Sequence, residues 1–367
     1  MKANPLILVV TLLSAALAAC ADGGDSDSCA RFDYDESAEI TDAHGAGITL
    51  PGDGEYYHGV YPGGTTGEED DITPADVDAY ETAAGKQAAW IYFSNNWYRS
   101  RAFPVATATW IRDRGSIPFI RLMLRSSPDQ NVKETTFTLR AVIEGAFDAD
   151  LAAWGDAAKD FGTPMIVEWG TEMNGYWFSW NGTWNCGGDE GPKRFQAAFR
   201  HIVRTISSRG ADNITWAFHV NGDDDPDEEW NRFEHYYPGD DAADWVGISS
   251  YGAQTPLDEE WPAFEDGVDA SYQRLAELAP DKPVFIFEFG VTRNNPLGDP
   301  VAWADSALEQ IISGDWPQVL GFSWWNETWQ NDDDPAHDTN MRVQDISGMS
   351  DVFKSRLSDA AVIGRPL

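Results

Sequence analysis

Eight short apolar runs recur along this chain, and amphipathic stretches fill most of the gaps between them. The runs are 57–61, 89–93, 118–124, 164–171, 214–220, 245–250, 283–289 and 319–325. Their length and β-branched or aromatic content predict strands. Residues 74–86, 103–114, 149–161, 192–208, 264–278 and 301–312 carry the spacing of helices with one apolar face. Strands that alternate with helices need long crossovers, and these build a parallel sheet. Eight of them predict a single α/β domain, the (β/α)8 TIM barrel, over residues 36–367.

Two of the predicted strands end in a glutamate followed closely by glycine. The first segment reads Val167-Glu168-Trp169-Gly170-Thr171-Glu172-Met173-Asn174-Gly175, the second Pro283-Val284-Phe285-Ile286-Phe287-Glu288-Phe289-Gly290. On the strand count, Glu172 and Glu288 close strands four and seven, and barrel sites gather at the C-terminal face. Cleaving a glycosidic bond builds positive charge on the anomeric carbon and negative charge on the leaving oxygen. One carboxyl must therefore donate a proton while another stabilises the carbon. Trp169, Trp177 and Phe178 stand close to Glu172 in sequence, and an apolar wall favours a protonated carboxyl, so Glu172 is the candidate acid/base. Glu288 is the candidate nucleophile, with the two carboxyls about 5–5.5 Å apart for a retaining site. Strand alternation would put Gly170, Glu168 and Ile166 on the face of Glu172, and Ile286 and Val284 on the face of Glu288. A buried Glu168 would then need a charged partner, for which Arg121 on strand three is the candidate.

Composition narrows the ligand. Acidic residues number 61 against 25 basic, a formal charge of −36, which repels phosphate backbones and anionic headgroups. Nucleic acid is therefore not an expected partner, and the substrate should be neutral or cationic. Of 17 tryptophans, Trp177, Trp180, Trp184, Trp324, Trp325 and Trp329 fall in or beside the presumed active-face loops. Flat aromatic faces stack on the C–H faces of sugar rings, so a neutral β-linked polysaccharide fits, with Trp177 and Trp180 as binding candidates. His219 and Asn221 share one face at the end of strand five; His219 reads as a hydrogen-bonded wall residue rather than a catalyst. The acidic runs 223–225 and 332–334 lack the glycine and distal glutamate of a calcium loop and read as solvated loops. No metal or other cofactor is expected, and the barrel is expected to be monomeric.

Lys2 followed by an apolar run over 6–19 reads as an export signal rather than a membrane span. It closes on Leu17-Ala18-Ala19-Cys20, which resembles a lipoprotein signal. Cys20 would then carry lipid at the mature N-terminus, the only expected membrane attachment, with a flexible tether over 20–35. The simpler alternative is a secreted protein. Cys29 and Cys186 remain, and in an oxidising compartment they are plausible disulfide partners.

The segment Glu172-Met173-Asn174-Gly175-Tyr176-Trp177-Phe178 with Trp180 resembles the acid/base segment of glycoside hydrolase family 26, the β-mannanases and related β-glucan and β-xylan hydrolases. Phe287-Glu288-Phe289-Gly290 is similar to that family's nucleophile strand. Asp244-Trp245-Val246-Gly247-Ile248-Ser249-Ser250-Tyr251 and Gly321-Phe322-Ser323-Trp324-Trp325-Asn326 resemble its sixth and eighth strands. The resemblance implies that Tyr251 approaches the nucleophile, that Trp325 floors the subsite of the cleaved sugar, and that Asn221 bonds a sugar hydroxyl. One departure stands out. The family usually has histidine before its acid/base, where this chain has Thr171, so recognition of the reactive ring through Thr171 is expected to be looser. The implied activity is endo-acting, retaining hydrolysis of mannan, mixed-linkage β-glucan or xylan. The alternatives are a catalytically inactive glycan-binding surface lipoprotein and an inverting hydrolase.

Overall fold

The eight strands of the computed structural model are β1 (Tyr56–Tyr61), β2 (Trp90–Asn96), β3 (Ile117–Met123), β4 (Met165–Trp169), β5 (Ile214–Asn221), β6 (Trp245–Tyr251), β7 (Val284–Gly290) and β8 (Val319–Trp325). Each runs parallel to the next, and β8 returns to β1 from Tyr57↔Gly321 to Tyr61↔Trp325, which closes the barrel. The structure describes residues 29, 39–41, 44, 45, 47–64 and 67–366. The export segment, Cys20 and all of the expected tether except Cys29 lie outside them.

Around the strands stand α1 (Pro74–Ala84), α2 (Val105–Asp113), α3 (Leu139–Ile143), α4 (Asp148–Phe161), α5 (Glu190–Ser207), α6 (Phe264–Leu278), α7 (Pro300–Ser313) and α8 (Met349–Leu357). Local chemistry sets their ends. Thr73 and Asp76 form a reciprocal capping box before Pro74, and Asp299 caps the helix that opens at Pro300. In α5 the buried residues Phe195, Ala198, Phe199, Ile202, Val203 and Ile206 follow the helical period and face the sheet. Between β5 and β6 there are only two 3-10 turns, Glu229–Asn231 and Phe233–Tyr236, where the other crossovers carry helices. No helix among the described residues is long and apolar enough to cross a membrane.

The barrel interior has an aromatic floor. Trp245 stacks on Phe285, Phe285 on Phe287, and Trp90 and Phe119 meet these rings edge-on. Each of these buried rings stabilises the fold by about 2–3 kcal/mol. Above the floor lies a polar layer. Arg121 is in register with Glu168, and Ser249 with Glu288.

On β7 the expected alternation fails. Ile248 and Ser249 are adjacent on β6, yet they pair with Ile286 and Glu288, so one extra residue is inserted around Phe287. Phe285 and Phe287 fill the floor, and the bulge turns Glu288 inward as well, rather than Ile286 and Val284. Cys29 and Cys186 are joined by a disulfide that ties the N-terminal arm to the loop after β4.

Candidate active site

β4 stops at Trp169 because the chain turns at Gly170, whose φ is +70°. A Cβ there would also lie 2.3 Å from the Phe195 ring, so glycine is required twice over. Two residues on, Glu172 adopts φ 48°, a conformation uncommon for a residue with a side chain. It is held by its N–H, which donates to the carbonyl of His219 at 2.8 Å. A left-handed turn therefore aims Glu172, whereas Glu168 points inward from the strand itself; extended alternation does not reach position 172. The indole Nε1 of Trp177 donates to Glu172 Oε2 at 2.9 Å.

Glu288 sits between a cation and two phenols. Arg121 Nη2 donates to its Oε1, Tyr92 Oη lies 3.1 Å from the same oxygen, and Tyr251 donates to Oε2 at 2.7 Å. Burial pushes the carboxyl up to about 7; the Arg121 guanidinium opposes this, and the charge of Glu172 reinforces it.

Beneath them Glu168, 0% exposed, is paired as the sequence requires. Arg121 Nε approaches its Oε1 at 3.1 Å, Tyr92 donates to the same oxygen, and His219 Nδ1 lies 2.7 Å from Oε2. Burial works against the Glu168 charge, but His219 and Arg121 outweigh it and hold the carboxyl below its ordinary range. Glu168, His219 and Glu288 present atoms within 4.8 Å of one another, a spacing a metal ion would accept. The Arg121 guanidinium already donates to both carboxylates, so the cation such a cluster needs is built into the chain.

The remaining predicted residues divide. Tyr251 and Trp177 touch the two glutamates directly. The Trp325 ring lies 4.1 Å from that of Tyr61 and 5.3 Å from the Arg121 guanidinium that binds Glu288, near the mouth of the barrel. Asn221 is half-buried and donates to the carbonyl of Asp223 at 2.7 Å. Thr171 and Trp180 are not brought to a surface that a sugar would meet. Thr171 is 0% exposed, with Oγ1 3.0 Å from His219 Nδ1, and Trp180 is buried, stacked on Phe178 and donating to the Thr171 carbonyl at 2.8 Å. The tight turn after Gly170 folds both back into the protein, so a looser sugar contact through Thr171 does not follow. Nor is the 223–225 run merely solvated. Asp224 is buried and accepts from Asn174, from the Phe233 N–H and from Arg274.

Sequence reasoning missed Tyr92, Glu69, Ser249, Tyr61 and Glu327. Glu69 receives Arg121 Nη1 at 2.8 Å; Glu327, pushed up to about 8 by burial and by Glu69, accepts from Trp325 Nε1 at 3.1 Å. Ser249 was findable, because it sits on the inward phase of β6 at the register position of Glu288.

A closed parallel barrel with two glutamates at its C-terminal mouth, Glu172 and Glu288, has the arrangement that glycoside hydrolysis requires. The family model described as Glycosyl hydrolase family 26 matches residues 130–290, the stretch from before β4 to the end of β7 that holds both glutamates. Among curated relatives, Endoglucanase H of Acetivibrio thermocellus is 24% identical over 281 residues, 76% of this chain and 29% of the relative. Beta-1,3-xylanase TXYA of a Vibrio species is 28% identical over 60% of this chain and 49% of its own length. The chain thus spans less than half of either. Among solved structures, the YdhT protein from Bacillus subtilis has a TM-score of 0.60 at 18% identity, covering 85% of this chain and 87% of that one. The catalytic domain of a Bacillus sp. JAMB-750 endo-beta-1,4-mannanase also scores 0.60, at 16% identity over 90% and 96%. These structural likenesses carry the fold.

Proposed function

We propose that this chain hydrolyses internal bonds of a neutral β-linked polysaccharide with retention of configuration. In the first step the Glu288 carboxylate attacks the anomeric carbon as Glu172 passes its proton to the leaving oxygen. In the second, Glu172, now ionised, takes a proton from a water that displaces Glu288. The observation that carries this reading is the contrast between the two carboxyls. Glu288 is gripped by Arg121 and Tyr251, donors that favour a fixed anion, whereas Glu172 receives one indole N–H on a turn. The aromatic rings at the mouth, Trp177 and Trp325, suit sugar faces.

Relatives named endoglucanase and β-1,3-xylanase, and structural neighbours named mannanase, support mannan, mixed-linkage β-glucan and xylan as the polymers to try. Release of reducing ends from each measures the choice. An inactive glycan-binding barrel would have no use for a proton donor facing an anchored anion. Glu288→Ala should abolish turnover. Glu172→Ala should still cleave an aryl glycoside whose leaving group needs no proton, slowly, and azide should accelerate it. Equal losses on both substrate types, with no rescue, would reverse or remove the roles.

The motif Leu17-Ala18-Ala19-Cys20 supports export and lipid attachment at Cys20. Wild type should then partition with membranes, and Cys20→Ser should release it. A soluble wild type with an unmodified Cys20 would remove the anchor.

A further inference from the structure

His219, on β5, is joined to both catalytic segments while lying below the cleft. Its carbonyl accepts the Glu172 N–H at 2.8 Å, and its Nδ1 lies 3.0 Å from the hydroxyl of Thr171, the residue before that glutamate. On the other side its Nε2 is 2.8 Å from Ser249 Oγ, and Ser249 is the register partner of Glu288 across the β6–β7 bulge. The ring is held on its other sides as well. Nδ1 also meets Glu168 at 2.7 Å, and the edge of Phe287 closes the remaining side with ring centres 5.2 Å apart.

We propose that His219 is a positioning residue that fixes the Glu172 carboxyl relative to Glu288, through the Thr171 hydroxyl and its own carbonyl. The inference rests on the hydrolysis proposed above. Glu172 needs such a support because its left-handed backbone is not one it would hold unaided. The ring must be anchored in turn, and Glu168 from β4 does this, itself held by Arg121 from β3 and by Tyr92 from β2. Glu288 from β7 and Glu172 complete the charges that act on the ring. Burial disfavours the charged imidazole, but these carboxylates, Glu168 foremost, raise its affinity for a proton above the ordinary value. As an imidazolium it donates from Nε2 to Ser249 Oγ and from the single Nδ1–H, shared between Glu168 Oε2 and Thr171 Oγ1, so none of these contacts depends on a choice of tautomer.

His219→Gln is the direct test, with Thr171→Val as a milder change that removes only the hydroxyl. In His219→Gln the kcat on polymer should fall by about tenfold to a hundredfold, as for a misplaced catalytic group. KM should stay within about threefold, because substrate contacts are untouched. An activated aryl glycoside should lose less, and azide should restore part of its turnover. Thr171→Val should change kcat in the same direction by less, and it decides the matter alone if the glutamine variant does not fold. Wild-type kcat in the variant that folds, or equal losses on polymer and aryl glycoside without azide rescue, would overturn the proposal. Should the wild type cleave no polymer, the hydrolase reading fails, yet a crystal structure still tests this inference. A Glu172 carboxyl displaced in the variant supports it, and one superimposable on the wild type overturns it.

Discussion

Glu288 is 4% exposed, and its burial sets two requirements against each other. As the proposed nucleophile it must be ionised, yet burial raises its proton affinity from the ordinary 4.5 to about 7, against the pull of Arg121. For stability, an acid whose folded value is raised contributes fully below its unfolded value and loses that contribution as pH rises through the folded one. The Glu288 contribution to stability is therefore complete below 4.5 and lost as pH rises through about 7, the same rise that activates the nucleophile. The acid limb of kcat/KM should accordingly report Glu288. Arg121→Met removes the cation that favours the anion and should move that limb upward by about 1–3 pH units. Tyr251→Phe, which loses one hydrogen bond to the charged form, should move it the same way by less. A pH–rate profile of each variant checks both, and a limb that stays in place in Arg121→Met would remove the guanidinium from this role. Arg121→Met should also cost about 3–5 kcal/mol of stability, since it strips Glu168 and Glu69 of their partner.

At the level of strands and turns, local irregularity rather than alternation delivers both candidate carboxyls, Glu172 and Glu288. The β7 bulge needs space on β6, and Gly247 provides it: a Cβ there would lie 1.9 Å from the Phe287 ring. Gly247→Ala should therefore destabilise the barrel by about 1–3 kcal/mol. It should also lower kcat by displacing Glu288, so urea denaturation and kinetics must change together. Loss of stability with kcat intact would mean that the bulge does not depend on that gap. The same irregularities mark what the sequence could and could not disclose. All eight strands were legible because each is a short apolar run bounded by polar or turn residues, and parallel strands buried on both faces carry that signal strongly. Six of the eight helices were legible within a few residues for the same reason of period, whereas α3 and α8 were not read. Glu172 and Glu288 were legible as strand-end glutamates, and Arg121 as the partner of Glu168. The orientation of Glu172, the inward turn of Glu288 and the burial of Thr171 and Trp180 were not. Each depends on a left-handed turn or a one-residue insertion, and neither disturbs the apolar pattern from which the strands were read. Tyr92 was hidden differently, because a tyrosine inside an apolar strand looks like core until the carboxylates converge on its hydroxyl.

Across the whole molecule, one covalent link spans what the barrel's own contacts leave far apart in sequence. The Cys29–Cys186 disulfide joins positions separated by 157 residues, so it removes a large loop entropy from the unfolded chain. By that account it contributes on the order of 4–5 kcal/mol. The far end of the arm does not rely on it. The His44 ring lies 3.0 Å from Asp244, and the Ile40 N–H donates to Asp241 at 3.1 Å, so the arm stays docked near the N-terminal ends of β5 and β6 without the link. At the other end Cys186 belongs to the loop after β4 that carries Trp177, and Trp177 holds Glu172. Reduction should therefore lower the melting temperature by roughly 5–10 °C for a domain of this size. Cys29→Ser, Cys186→Ser and the double variant should match the reduced wild type, because each removes the same single constraint. Activity at temperatures well below melting should change little, since Asn181, Asn174 and the Tyr176–Asp225 backbone bond brace the loop independently. A melting temperature indifferent to reductant, with both thiols then shown to be free in the untreated protein, would mean the link is not formed in solution. A large loss of activity in Cys186→Ser at low temperature would instead make the disulfide a support of the Glu172 turn itself.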